Sequence, residues 1–218
     1  MTTLLLASAS PARLSTLRSA GINPLVAVSA VDEPAVLAAA AAEAVSSGRG
    51  ELPADEQVLV LARAKARDVL GTAAEAARAD LVLGCDSMLE IDDGTGAEVV
   101  GKPADAADAV ARWRRMRGRS AELHTGHWLV RGGREVGATS STVVHFADLS
   151  DAEIDAYVAT GEPLRVAGAF TIDGLGGPFV TGIEGDHHGV VGLSLPLLRD
   201  LLGRLGLTVP DLWSGPLA

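Results

Sequence analysis

Three features of the 218-residue sequence predict an α/β fold. Short apolar runs are bounded by Gly, Pro and Ser clusters; longer stretches between them carry apolar residues at three- and four-residue steps; and 48% of residues are hydrophobic against 21% charged. Alternation of the first two patterns reads as strands packed against helices. Many Ala and Gly residues suit close helix–strand packing. No repeat, charge block or linker interrupts the pattern, and the length suits a single domain of one body or two intimate lobes.

A formal charge of -10 argues against a polymeric nucleic acid or an anionic membrane as partner, because either needs a basic face. A small polyanion needs only a few converging cations. Cys85 is the single cysteine, so no intramolecular disulfide forms, as expected of a cytoplasmic protein. It reads as a small buried residue, since no His is close in sequence. The N-terminus lacks a basic region and a long apolar run, and no segment is long and apolar enough to span a bilayer.

Leu4–Ala7 reads as a strand, and Ser10-Pro11 as the cap and first residue of a helix running to Ala20 and stopped by Gly21. The Ser8-Ala9-Ser10 turn and that helix N-terminus make an anion site. Arg13 in the first turn is unfavourable for the helix dipole, so it is either matched to an anion or solvated. Val26–Val31 reads as a second strand, with Asp32 and Glu33 at its end before Pro34. Val36–Val45 is helical by propensity. A further helix spans Pro53–Leu70, and Lys65 falls on its apolar face, where an ammonium must snorkel, pair with a carboxylate or meet a ligand anion.

Leu81–Gly84 reads as a buried strand, followed by Cys85 and Asp86. A carboxylate there is either a turn residue or a group aimed from the strand end into a cleft. Met88–Ile91 continues extended, Asp92-Asp93-Gly94 turns, and Val99-Val100 returns. Gly96–Lys102 has P-loop spacing, but Pro103 stands where Ser or Thr would hold magnesium and an apolar pair lies inside the loop, so no Walker A site is read.

Ala106–Met116 is an amphipathic helix with Trp113 inward. Leu123–Val130 and Val136–Phe146 form a hairpin about Gly132-Gly133. His124, His127 and His145 on these strands lack metal-ligand spacing and read as structural. Ser150 to Glu153 is a capping box opening a helix to Ala159. The glycine-rich stretch Val166–Val180 implies close backbone approach, Asp186-His187-His188 reads as a solvated loop, and a last helix runs from near Pro196 to Leu205.

Leu6-Ala7-Ser8-Ala9-Ser10-Pro11 with Arg13, Asp32-Glu33, Ala64-Lys65-Ala66, Gly84-Cys85-Asp86, Gly101-Lys102-Pro103, Thr125-Gly126, Gly161-Glu162-Pro163, Ala167-Gly168-Ala169-Phe170, Gly174-Leu175-Gly176-Gly177 and Val190-Val191-Gly192-Leu193 resemble, in order, the Maf family of nucleotide pyrophosphatases. The resemblance covers the chain from Leu4 nearly to Gly206. It implies a twisted mixed sheet flanked by helices, two lobes about a central cleft, a relation to the inosine triphosphate pyrophosphatase fold, and often a homodimer. The reaction implied is hydrolysis of a nucleoside triphosphate between its α and β phosphates with magnesium or manganese, in a role that removes modified nucleotides.

By the same resemblance Asp86 is the catalytic carboxylate, Glu33 joins it in holding the metal, and Ser8, Arg13, Lys65 and Lys102 surround the phosphates. Ala12, Ser87 and Asp173 occupy positions tied to base choice; all three differ from the dTTP/UTP and the 7-methyl-GTP subgroups, so neither specificity is assigned. Ser194 replaces a usual Pro and Val166 a common Lys. The alternative function is a nucleotide-binding regulator of septum formation and cell division acting without turnover. A haloacid-type phosphatase would need a second acid where Met88 stands.

Overall fold

The computed structural model describes residues 2–94 and 96–213. Strand β1 (Leu4–Ala7) is buried throughout and leads into helix α1 (Pro11–Ser19), which Ser10 caps by accepting from the Arg13 amide. Gly21 follows at φ 80° and ends the helix as its sequence position predicts. Strand β2 (Leu25–Ala27) is shorter than expected. Beyond it, the amides of Ala30 and Val31 donate to the side chains of Asp68 and Ser29, so the chain leaves the ladder early. Helix α2 (Glu33–Ser46) then starts three residues sooner than propensity suggests. Pro34 is the second residue of this helix, within the first turn where a missing N–H costs nothing, and Asp32 caps it by accepting from the Ala35 amide at 3.1 Å. Glu33 is therefore a first-turn helical residue and does not end a strand.

Helix α3 (Ala54–Thr72) buries Val58, Leu61, Ala62, Ala66 and Val69. Strand β3 (Leu81–Asp92) pairs in parallel with β1 from Leu4↔Leu81 to Ala7↔Gly84, and β1 pairs in parallel with β2. This strand corrects the expectation that Asp86 stands at a strand end: β3 runs on six residues past it. What stops is the neighbour, since β1 finishes opposite Gly84. Asp86 thus lies just past the carboxyl end of the parallel pairing, where an α/β sheet offers a ligand site.

Strand β4 (Ala97–Val100) pairs antiparallel with β3, so the P-loop look-alike is a strand. Helix α4 (Ala106–Met116) has its expected bounds. Strands β5 (Ser120–Arg131) and β6 (Arg134–Phe146) are joined by Gly132 and Gly133, both at positive φ, the signature of a type I′ turn. Helix α5 (Asp151–Ala159) opens with the predicted capping box, and β7 (Val180–Glu184) pairs antiparallel with β6. His187–Val191 forms a short helix, α6, instead of the expected loop, because Asp186 accepts from the amides of His188 and Gly189. Helix α7 (Leu195–Arg204) is capped by Ser194, which explains a serine there. The strand order is β2-β1-β3-β5-β6-β7, with β4 on β3: a mixed seven-stranded sheet.

The chain forms two compact units. One comprises Met1–Asp86, Thr125–Ser140 and Gly192–Ala218; the other comprises Ser87–His124 and Ser141–Val191. In the first, Leu4, Leu6, Leu17, Leu83, Cys85 and Leu201 belong to one buried cluster. Its His127 is fully buried, with Nδ1 on the Thr125 carbonyl and Nε2 accepting from the Ser194 amide, a structural neutral imidazole. In the second, Trp113 packs edge-on against Phe146, Tyr157 and Phe179 and donates to the Ala169 carbonyl.

Gly84 lets β3 touch α3. A Cβ there would stand 2.1 Å from the Ala62 carbonyl oxygen and 2.9 Å from the Ala66 nitrogen. Gly84→Ala is expected to destabilise the fold by about 3 kcal/mol in urea titration, at the upper end of overpacking costs, because backbone is what must move. A change below about 0.5 kcal/mol, the range of a neutral surface substitution, would contradict that contact.

Candidate active site

Side chains two apart on a strand point to one face, so Asp86 follows Gly84 on the face that meets α3. Lys65 lies between Ala62 and Ala66 in sequence, on the helical turn that Gly84 touches. The carboxylate therefore lands on the ammonium: Asp86 Oδ1 accepts from Lys65 Nζ at 2.6 Å. Glu33, in the first turn of α2, places Oε1 2.7 Å from the same Nζ. The Lys65 and Asp86 side chains are only 14% and 10% exposed, while Glu33 is 48% exposed. Of the three fates open to a lysine on an apolar face, pairing is the one observed. Two carboxylates share one cation.

Burial pushes the Asp86 carboxyl above its ordinary value, and the charges of Lys65 and Arg13 oppose that rise. A carboxylate so placed is a stronger base than a solvated one. Cys85, one residue earlier, points into the core; burial pushes its thiol up to about 11, which leaves it protonated at neutral pH and unsuited to nucleophilic attack.

The turn after β1 is organised by Arg13, which is not a solvated side chain. Its Nη1 donates to Ser8 Oγ at 3.1 Å and to the Cys85 carbonyl at 2.9 Å, and its Nε donates to the Gly192 carbonyl at 2.8 Å. Ser8 Oγ also accepts from the Ser10 amide. One guanidinium thus ties the β1 turn, the residue before Asp86 and the approach to α7. Ser8, Arg13, Glu33, Lys65 and Asp86 all belong to the first unit, as does half-buried Ala12 in α1.

Lys102, Ser87 and Asp173 belong to the second unit. Lys102 is exposed on a turn pinned through Gly101, whose carbonyl accepts from Arg112 Nη1 and from the Gly168 amide. Asp173 is exposed on the glycine-rich loop. That loop is held by Glu162, which accepts from Thr171 Oγ1, Tyr157 Oη and the amides of Leu175 and Gly176. Gly161-Glu162-Pro163 carries no role on sequence grounds alone; its carboxylate is the loop's anchor. Arg112, which pairs with Asp108 on its own helix, escapes sequence reading in its bond to the Gly101 carbonyl, and Glu162 does so because the groups it accepts from are spread over α5 and the glycine-rich loop.

Among the described residues, two groups of side chains stand out as having the chemistry of metal ligands. Asp86 and Glu33 converge hard oxygen donors on one point, now held by an ammonium, and hard oxygens suit magnesium or manganese. The residues fit such an ion. Glu90, Glu122 and His124, in the second unit, form another set, and the Glu-x-His alternation on β5 is its only sequence signal.

The Maf-like protein family matches residues 3–205. Relatives named nucleoside triphosphate pyrophosphatase occur in Salinispora tropica, 58% identical over 97% of this chain and 87% of the relative, and in Leifsonia xyli subsp. xyli, 54% identical over 97% and 96%. One in Streptomyces coelicolor is 51% identical over 97% and 94%. With the family match spanning residues 3–205 and relatives at 51–58% identity over 97% of the chain, the chain belongs to the Maf-like protein family.

Proposed function

We propose that this protein is a nucleoside triphosphate pyrophosphatase, which hydrolyses the α–β phosphate link to give a nucleoside monophosphate and pyrophosphate. The observation that carries the reading is Asp86, a nearly buried carboxylate of raised pKa held against Lys65. The names of its relatives agree with it.

Asp86 accepts a proton from the water that attacks the α phosphorus, the α–β bridging P–O bond breaks, and its oxygen departs with pyrophosphate. Lys65 keeps the base oriented and, with Arg13, offsets charge on the phosphates. Ser8 offers a hydroxyl in the same turn, and Lys102 is assigned to the phosphates on the family resemblance. A magnesium or manganese ion held by Asp86 and Glu33 would supply further charge to a triphosphate and make water more acidic. Lys65 already faces two carboxylates and Arg13 is engaged by the Ser8 hydroxyl and the Cys85 and Gly192 carbonyls, so a polyanion arriving there gains from that added charge. Ala12, Ser87 and Asp173 are the proposed determinants of base choice. The same reading carries a cytoplasmic location, a homodimer and removal of modified nucleotides; no described helix is long and apolar enough to cross a membrane.

Incubated with magnesium or manganese and a panel of triphosphates in 18O-water, the protein is expected to release monophosphate and pyrophosphate, with the label in the monophosphate. Label in pyrophosphate would place attack at the β phosphorus, and binding without turnover on every member would favour the regulatory reading. Asp86→Asn should fold normally yet lose at least about 100-fold in kcat, the lower range for a general base.

In the metal-free protein the raised Asp86 pKa sets the sign of a pH effect on folding. In folding, the native state holds the Asp86 proton to higher pH than the unfolded chain. The contribution of this group is therefore full at low pH and is lost as pH rises through the raised folded value. Urea titrations of Asp86→Asn should lack that loss, so the variant gains on the parent between acid and neutral pH; a constant difference would contradict it.

A further inference from the structure

We propose that Glu90, Glu122 and His124 form a second divalent-metal site, for a zinc-like ion, separate from the Asp86 and Glu33 pair. Glu122 and His124 are two apart on β5 and so share a face, and β3, which carries Glu90, is the neighbouring strand. One donor atom from each lies within 4.8 Å of the others. His124 is buried, while both glutamates keep partial access to solvent, which leaves an entry path for an ion.

The imidazole is arranged as a metal ligand is. Its Nδ1 meets Ser141 Oγ, from β6, at 2.7 Å, and this bond fixes the ring and turns Nε2 toward the glutamates. Nε2 stands 3.3 Å from Glu90 Oε2, long for a charge-assisted hydrogen bond. Two donors bound about 2.0–2.1 Å from a tetrahedral ion stand about 3.3 Å apart, so the same spacing matches the edge of a coordination tetrahedron. Glu90 meets the imidazole and Glu122 brings a second carboxylate within 4.8 Å of both, and among the described residues no Lys or Arg pairs with either glutamate. A cation resolves the repulsion between the two carboxylates. One nitrogen and two oxygens favour zinc, cobalt or manganese over magnesium, which prefers oxygen alone. Three protein ligands leave a fourth position open.

Zinc, with cobalt as its spectroscopic substitute, is titrated into the full-length protein by calorimetry and visible absorption, with long-range 1H–15N spectra reporting the histidine rings. The expected result is one zinc site that excess magnesium does not displace and that shifts the His124 Nε2 resonance. Glu122→Gln, on a partly exposed side chain, should weaken it at least about tenfold, Ser141→Ala should weaken it about tenfold, and Asp86→Asn should leave it intact. Circular dichroism and melting curves matched to the parent establish that the variants fold. No zinc binding at millimolar concentration, binding indifferent to Glu122→Gln, or binding lost only in Asp86→Asn would each overturn the proposal.

Discussion

The close approach of β3 to α3 at Gly84 is the constraint on which the site depends. Interiors are packed densely enough that a strand and helix in backbone contact leave little freedom to the next side chain on the same face. Without a side chain at Gly84, the Ala62 carbonyl and the Ala66 nitrogen sit where a Cβ would be. The next residue on that face is Asp86, and the helical turn opposite it carries Lys65. The 2.6 Å contact between them results from that register, and parallel pairing with β1 ends at the same level, opposite Gly84.

Electrostatics then decides what the register can do. A carboxylate removed from water without a partner becomes neutral, and one fully matched in a surface ion pair becomes a weak base. Asp86 is between these limits. Burial raises its pKa, Lys65 and Arg13 pull it back, and Lys65 is itself shared with Glu33. Arg13 serves this balance from a distance while its hydrogen bonds to Ser8, Cys85 and Gly192 hold the backbone in place. The cation that looks misplaced in the first turn of α1 is thus matched to carbonyl oxygens and a hydroxyl.

Much of this is legible in sequence in order of locality. The bounds of α4, the capping box before α5 and the Gly132-Gly133 turn depend on neighbouring residues and appear as read. The length of β2, the start of α2 and the helix at His187 depend on which side chain captures a backbone amide: Asp68 and Ser29, Asp32, and Asp186 respectively. Sequence periodicity does not weigh such competition. Lys65 stands out as anomalous on an apolar face, but its partner is 21 residues away and visible only in the fold. Asp86 stands out in sequence for a strand end that does not exist; the end that matters is that of its neighbour, β1. Glu90, Glu122 and His124 meet through the sheet, which no single stretch of sequence reveals.

If Asp86 is the general base proposed above, Lys65 and Asp86 act as one unit in turnover, and a double-mutant cycle on kcat/KM reads this out, with Lys65→Met and Asp86→Asn made singly and together. If they act as one unit, the double variant loses scarcely more than the worse single variant. Losses that multiply in full, as for independent residues, would contradict the account.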